Sequence, residues 1–246
     1  MLNNITIGRY INKSSVVHKL NPVFKIISLI IMIISIFFID SYIDITLLSL
    51  YLLLAVLYSD IDIEVYLKNI YGIKIFLIFI FIIDLIFFTS INRIIFDIFK
   101  LIFIVLYSSI LTYTTSITEL TYGIETLLKP LNKLIPVGDI AMIITLSIRY
   151  IPTLTEEATR IINAQKLRGI NFDTKNIKEK LISISGILMP MFTLSIKRAE
   201  ESADIMDIRL YNYGRSRTNY RTNKWTKINS LLLILNILIL IIIICY

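Results

Sequence analysis

Residues 147–169 read SIRYIPTLTEEATRIINAQKLRG, and residues 189–214, MPMFTLSIKRAEESADIMDIRLYNYG, repeat the same plan. Each stretch begins apolar, passes a proline, continues as a charged amphipathic helix and reaches an arginine just before a turn. The prolines are Pro152 and Pro190, and we expect each to bend the chain where a buried helix becomes a surface helix. The repetition indicates two helices that work as a pair.

The charged half of the first helix is too polar to cross a bilayer. The segment from Glu156 to Arg168 carries five ionised side chains, and each charge near the bilayer centre costs about 2.5 to 3.5 kcal/mol on the insertion scale. A helix is still favoured, because Glu156 and Glu157 precede Arg160 by one turn, the spacing of a stabilising ion pair. We therefore expect this half to lie outside the hydrocarbon core.

The second helix has a seam that contains small side chains. Its members are Ala199, Ala203, Met206 and Leu210, and Ala158 lies on the apolar face of the first helix. Small residues allow another helix to approach closely. We predict that the two helices pack through these alanines, cross each other and leave a polar face for a partner.

The rest of the chain has the composition of an integral membrane protein. Of its 246 residues, 56% are hydrophobic, and the mean hydropathy is +0.77, which places the chain among membrane proteins rather than soluble domains. Open strand edges are not viable in hydrocarbon, so the spans are helices. The predicted fold class is an all-α membrane protein with about five spanning helices, an interfacial helix and two long crossed cytoplasmic helices.

Hydropathy divides the chain into three predicted domains. Residues 1–118 form a membrane domain of about four spans, residues 119–227 form an interfacial and cytoplasmic domain, and residues 228–246 form a last span. The predicted spans are 23–39, 43–58, 73–89, 94–117 and 228–246. Asn21 and Pro22 mark the start of the first span as cap and first helical residue. An amphipathic pattern at 119–136 predicts the interfacial helix.

Basic residues set the predicted orientation. Residues 160–227 hold fourteen lysines and arginines against six acidic residues, whereas residues 1–159 hold eleven against twelve. Lysine and arginine beside spans mark the cytoplasmic side. Four spans separate the basic N-terminus from the charged helices, so both are predicted to be cytoplasmic and the C-terminus outside. The predicted loop at 60–68 is acidic although cytoplasmic, but acidic residues count for little in this rule.

Several kinds of site are absent from the sequence. One cysteine, Cys245, and one histidine, His18, allow neither a disulfide framework nor a cysteine cluster nor a histidine-based catalytic set. No G-x-x-x-x-G-K-[ST] loop and no H-E-x-x-H motif occurs. We therefore predict no enzyme, metal site or cofactor. Nucleic acid is not an expected partner, because the basic strip at 215–227 lies between membrane segments.

The residues alone leave other functions open. Asp84 is an intramembrane carboxylate and so a functional hypothesis; with Asp97 and Lys100 it predicts an ion path in a secondary transporter or channel. A membrane enzyme with a lipid-phosphate site would lack an obvious base. The basic helices are also explained by a solvated surface or by contact with anionic lipids. Arg168 and Arg209 are also explained as ordinary basic residues at helix C-termini.

Three motifs resemble one transporter family. The end of the first charged helix, at Leu167, Arg168 and Gly169, resembles the first Ala-Arg-Gly motif of the transmembrane T component of energy-coupling-factor (ECF) transporters, the CbiQ-like family. The stretch RAEESADIMDIRLY resembles the second motif. The family's Ser-x-x-His-x-Leu-Asp-Pro-x-x-Lys motif is matched, with Asn21 in place of aspartate, on Ser15, His18, Leu20, Pro22 and Lys25.

The chain departs from the family's pattern at both helix ends. Leu167 replaces alanine in the first motif, and Ile208 and Leu210 replace alanine and glycine in the second. If the protein works as the family does, the role falls to Arg168 and Arg209.

The resemblance implies a membrane coupling subunit. It implies two partner ABC-type ATPases, a separate membrane-embedded S component that captures a vitamin or metal ion, and a multi-pass location in the bilayer. Each cytoplasmic helix would deliver its arginine to one ATPase, where charge-assisted hydrogen bonds contribute about 1.5 to 3 kcal/mol each. The docking residues that it implies are Arg168, Gly169, Arg209, Gln165 and Asp207.

Overall fold

The structure is a computed structural model, and it describes residues 10–88, 90–170, 176–211 and 225–245. In these residues every long element is a helix and no strand occurs, so the predicted all-α class is confirmed. The helices are α1 (Pro22–Phe37), α2 (Tyr42–Ser59), α3 (Ile63–Gly72), α4 (Lys74–Ile86), α5 (Ile91–Thr114), α6 (Ile117–Leu128), a 3₁₀ helix (Lys129–Lys133), α7 (Val137–Leu167), α8 (Ile177–Ile208) and α9 (Lys227–Cys245).

The described residues form two compact units. One, the bundle, comprises residues 10–130 with 225–245, and the other, the hairpin, comprises residues 131–211. Within the bundle α1 packs against α5, α6 and α9, while α5 also contacts α2, α3 and α4. The sequence assigned α6 to the cytoplasmic domain, but its contact with α1 places it in the bundle. The predicted basic strip at 215–227 lies, up to residue 224, outside the described residues.

Length and composition allow four or five helices to cross a membrane. They are α2, α5, α7 and α9, with α3 and α4 as one further span that is bent by 49°. The apolar helix α1 has 16 residues, somewhat fewer than the roughly 20 of a full span. The protein is therefore a multi-pass membrane protein with about the predicted number of spans.

One predicted loop is a helix. The sequence places a loop at 60–68, whereas α3 begins at Ile63. Four of the nine residues in this stretch are charged, yet Tyr66 is only 3% exposed and packs in the core of the bundle. Burial of one aromatic side chain, Tyr66, anchors this short helix, which the charged residues of the stretch did not suggest.

The predicted start of the first span is confirmed. Asn21 caps α1, because its Oδ1 accepts a hydrogen bond of 2.9 Å from the backbone N–H of Val23, and Pro22 is the first helical residue. Pro22 lacks an N–H group, which at this position would have no partner within the helix.

His18 ties the segment before α1 to itself and to the end of α5. Its Nε2 lies 3.0 Å from the carbonyl oxygen of Ile11, and since a carbonyl can only accept, Nε2 carries the proton. The Nδ1 atom then accepts from the Ser15 hydroxyl at 2.6 Å. Ile11 in turn donates its N–H to the carbonyl of Tyr113 at 3.1 Å. The motif residues Ser15 and His18 therefore hold the N-terminal segment on the bundle.

Lys25 closes the same end of the bundle from inside. Its Nζ donates to the carbonyl oxygens of Thr114 at 2.8 Å and His18 at 3.3 Å, and to Oγ1 of Thr115 at 3.2 Å. Because an ammonium has three donors, all are used. Lys25 thereby satisfies a carbonyl at the C-terminal end of α5 that no longer has a partner within the helix.

The acidic loop lies beside a basic residue of the N-terminal segment. Lys13 Nζ donates to the backbone oxygen of Asp60 at 2.8 Å and lies 3.4 Å from Oδ1 of Asp62. The N-terminal segment and the end of α2 thus share one end of the bundle. Asp60 and Asp62, which belong to the acidic stretch that the charge rule did not explain, therefore lie next to Lys13.

We expect acid to destabilise the bundle through His18. Burial lowers the pKa of His18 below its ordinary value of 6.5, so the folded state favours the neutral ring. This stability is complete above pH 6.5 and is lost as the pH falls through the folded-state pKa. The midpoint temperature of thermal unfolding, measured on the full chain in detergent, should therefore fall more steeply with decreasing pH than it does in a His18→Gln variant. Equal pH dependence in the two proteins would contradict this role.

Candidate functional site

The helices α7 and α8 form an antiparallel pair. Four side-chain contacts join them in reversed order: Asp139 with Tyr211, Tyr150 with Ser202, Glu157 with Arg198, and Gln165 with Gly186. The contacts extend over residues 139–165, roughly 39 Å at 1.5 Å per residue. The hairpin is therefore held along nearly its whole length. The predicted crossing of the two helices stays a prediction.

An ion pair lies near the middle of the hairpin. The guanidinium of Arg198 contacts the carboxylate of Glu157, and the two side chains are 30% and 14% exposed. The sequence predicted that Glu157 would pair with Arg160 on its own helix, but Glu157 faces α8 and Arg160 faces solvent. Partial burial strengthens such a pair relative to one on an open surface.

Pro190 creates an acceptor for the other helix. Proline has no N–H, so the carbonyl four residues earlier, that of Gly186, has no partner within α8. The side-chain amide of Gln165 donates to this oxygen at 3.1 Å. Both α7 and α8 remain helical through Pro152 and Pro190, and the bends expected at these prolines stay a prediction.

The predicted alanine seam is out of phase with the contact face. On α8 the half-buried residues include Arg198 and Ser202, whereas Ala199 and Ala203 are exposed. Each residue turns the helix by about 100°, so a shift of one position moves a side chain off the contact face. Ala158 is half-buried next to Glu157. Polar contacts, rather than alanines, mark the described interface.

The first helix ends in a turn that glycine favours. Arg168 is the cap residue of α7, and Gly169 follows with φ +86°. The N–H of Ile170 bonds the carbonyl of Gln165 at 3.1 Å, and that of Gly169 bonds the carbonyl of Lys166 at 3.0 Å. These two bonds define a Schellman motif.

The second helix ends in the same turn without a glycine. Arg209 is the cap residue of α8, and Leu210 follows with φ +55°. The N–H of Tyr211 bonds the carbonyl of Met206 at 2.9 Å, and that of Leu210 bonds the carbonyl of Asp207 at 2.9 Å. A left-handed conformation costs an L-residue with a side chain about 1 to 2 kcal/mol. The backbone therefore keeps the geometry of the first end despite strain.

Each helix end presents an arginine beside bare apolar side chains. Arg168 and Arg209 are both exposed. Their neighbours are almost fully accessible: Leu167 is 91% exposed, Ile208 81% and Leu210 87%. Arginine is one of the residue types enriched at the hot spots of protein interfaces.

The implied docking residues fall into two separate groups. Arg168, Gly169 and Gln165 lie at one end of the hairpin, and Arg209 and Asp207 lie at the other. Because the helices are antiparallel, the distance between the ends follows from the length of α8 between Gly186, which contacts Gln165, and Arg209, roughly 35 Å. Gln165 is directed at α8 and so positions the first end, whereas the side chain of Asp207 is exposed.

Sequence reasoning missed the apolar neighbours of the two arginines. Leu167, Ile208 and Leu210 were noted only as departures from a motif, although large apolar residues beside an arginine at both helix ends are themselves a signal. The Gln165 contact was also detectable in principle, since Pro190 necessarily frees one carbonyl.

The described bundle gives little support to an ion path. Asp84 is half-buried in the last turn of α4, close to a helix end rather than the middle of a span. Residues 101–114, which complete α5, contain no acidic, basic or histidine side chain. The ionisable groups of the predicted path do not continue along this helix.

We expect Leu210→Gly to stabilise the second helix end by about 1 kcal/mol, because glycine adopts the left-handed conformation without steric cost. Hydrogen exchange at the amides of residues 210 and 211 should slow about fivefold. The matched change Gly169→Leu should speed exchange at residues 169 and 170. Unchanged exchange in both variants would contradict the strain assigned to Leu210.

We expect Glu157→Leu to destabilise the hairpin by about 1 to 3 kcal/mol, because it leaves the half-buried guanidinium of Arg198 without its carboxylate. The double change Glu157→Leu with Arg198→Leu should cost less than the single change. The exposed neighbour offers a control, since Glu156→Leu should change stability by less than about 0.5 kcal/mol. Additive effects of the two single changes on thermal unfolding would contradict a direct pair.

Comparison with known proteins agrees with these features. A family model described as "Cobalt transport protein" (CbiQ) matches residues 13–220. Among similar proteins, three are called energy-coupling factor transporter transmembrane protein EcfT. That of Lactococcus lactis subsp. cremoris is 34% identical over 100% of this chain and 98% of its own length. The protein of Ruminiclostridium cellulolyticum is 36% identical over 94% and 92%, and that of Bacillus subtilis 32% identical over 92% and 92%.

The family match covers both helix ends and the Ser15 to Lys25 motif, and the relatives align along nearly the full chain. The chain therefore belongs to the CbiQ family of transmembrane transport proteins.

Proposed function

We propose that the chain is the transmembrane coupling subunit of an ECF-type importer. The observation that carries the proposal is the pair of equivalent helix ends: each closes in a Schellman motif and exposes an arginine with apolar neighbours. The names of the relatives describe transmembrane proteins of energy-coupling factor transporters. A subunit of this kind needs docking points for motor proteins and a rigid connection to the membrane.

Each end of the hairpin docks one ABC-type ATPase. A guanidinium offers five donors in a fixed plane to carboxylates and carbonyls of a partner groove. The side chains of Leu167 at one end, and of Ile208 and Leu210 at the other, fill apolar positions around it. Two docking points roughly 35 Å apart suit two ATPase subunits rather than one, since a single contact patch is smaller than this separation.

The hairpin transmits movement because it is cross-linked by polar contacts. When the ATPases approach or separate, each pulls on one helix end. The Glu157 and Arg198 pair and the Gln165 contact with Gly186 resist sliding of α7 along α8. The hairpin therefore moves as a stiff lever instead of absorbing the displacement by local bending.

Substrate recognition belongs to a separate membrane-embedded S component in this proposal. That component captures a vitamin or a metal ion, and this chain links its uptake to ATP hydrolysis without an active site of its own. The N-terminus and the hairpin ends face the cytoplasm, where the ATPases bind, so in this proposal α7 does not cross the bilayer although its length and composition would allow it. The C-terminus lies outside.

The test is co-purification of the full chain with its cell's ABC-type ATPases from detergent extracts. Reversing the charge in Arg168→Glu or Arg209→Glu should weaken capture of ATPase at least tenfold, because each change removes charge-assisted hydrogen bonds that contribute about 1.5 to 3 kcal/mol each. The double variant should capture none.

Arg160→Glu is the matched control, because Arg160 is an exposed arginine of α7 away from its end. It should leave capture unchanged. Monodisperse elution of every variant establishes that the chain is folded. Full capture by the folded double variant would overturn the docking role of both arginines.

A further inference from the structure

A cavity lies at one end of the bundle. It has a volume of about 310 Å³ and lies between α1, α2, α5 and α9, with residues 16–20 at its edge. The first turns of α1 and α9 and the last turns of α2 and α5 surround it. Within the bundle α9 packs on α1, α1 on α5 and α5 on α2, and the cavity is a space that these four helices leave open.

The walls of the cavity are hydrocarbon. Most lining side chains are aliphatic or aromatic, among them Phe24, Met32 and Leu232. The cavity is partly open, since its lining residues Val16, Leu54 and Tyr58 are 54%, 44% and 60% exposed, and an apolar surface of this kind favours apolar ligands. The ligand must therefore present a hydrocarbon surface.

Several of the polar lining groups are already bound within the protein. All three donors of Lys25 bond to oxygens of His18, Thr114 and Thr115. The Tyr107 hydroxyl donates to the carbonyl of Leu48 at 2.9 Å. The cavity thus offers little to a polar ligand inside it.

The length of the cavity fits part of one leaflet. Its lining residues extend over eight or nine positions of each helix, for example residues 51–58 of α2, which is roughly 10 to 12 Å along the bundle. A bilayer core is about 30 Å thick, so the cavity reaches less than the depth of one leaflet.

Two lysines are sequence neighbours of residues that line the cavity. Lys19 directly precedes the lining residue Leu20, and Lys227 directly precedes the lining residue Ile228. Both lysines are exposed. Trp225, 47% exposed at the start of α9, is of the type that sits at the headgroup level of membranes. Exposed lysines at this level attract anionic headgroups.

We infer that the cavity binds one anionic phospholipid, with an acyl chain between the four helices and the headgroup phosphate near Lys19 and Lys227. This assignment is independent of ATPase docking, because it involves the bundle alone. The bound acyl chain fills the space that the four helices leave open.

The probe is phosphatidylglycerol with a photoreactive diazirine on one acyl chain, added to the full chain in detergent. After illumination, mass spectrometry of peptides locates the label. We expect label on residues of α1, α2, α5 and α9 around the cavity. Leu54→Trp, which fills the cavity from a side chain that is 44% exposed, should remove most of this label.

Matched variants separate binding in the cavity from labelling of the outer surface. Leu53→Trp, on the same helix but not lining the cavity and 53% exposed, should leave the label unchanged. Lys19→Gln and Lys227→Gln should each weaken labelling about fivefold, and Lys68→Gln, an exposed lysine of α3, should not. If Leu54→Trp fails to elute as a monodisperse protein, Leu235→Trp fills the same cavity from α9.

Equal labelling of the Leu54→Trp and Leu53→Trp variants would overturn the acyl-chain site. Equal labelling by diazirine phosphatidylcholine or by a free diazirine fatty acid would overturn the assignment to an anionic phospholipid.

Discussion

The antiparallel contact of α7 with α8 is the constraint on which the functional geometry depends. It places the two cap arginines at opposite ends of the hairpin, and polar groups of the two helices contact each other across it. Such contacts have a fixed register, because an ion pair or an amide bond to a carbonyl is satisfied at one axial position only. An apolar interface alone would allow the helices to slide, and the separation between the two cap arginines would then vary.

The bundle depends on a different device, the burial of a cation with all of its donors used. Lys25 joins the start of α1 to the end of α5, and His18 holds the preceding segment against the same end. The Ser-x-x-His and Pro-x-x-Lys parts of this motif therefore have a structural explanation in the described residues. They close one end of the bundle, where the last carbonyl groups of α5 would otherwise lie in apolar surroundings without hydrogen-bond partners.

Most helices were predictable from the sequence, because hydropathy and caps are local signals: the Asn21 cap and the long apolar runs are examples. Interactions between helices were less accessible. The helix at Ile63–Gly72 depends on the burial of Tyr66, the partner of Glu157 lies 41 residues away, and the phase of the α8 interface differs by one residue from its small-residue pattern. In each case the deciding neighbour is distant in sequence. The arginine ends were found by resemblance, whereas their exposed apolar neighbours required coordinates.

The left-handed leucine makes the two ends of the hairpin inequivalent. Gly169 closes its turn without strain and offers a partner only backbone at that position, while Leu210 closes an equivalent turn under strain and extends an 87% exposed side chain. Contacts that a partner makes with Leu210 can offset part of that strain at the moment of binding, and no such gain exists at Gly169. The two ends of the hairpin therefore differ in backbone strain and in the side chain that they expose, although their hydrogen-bond patterns are the same.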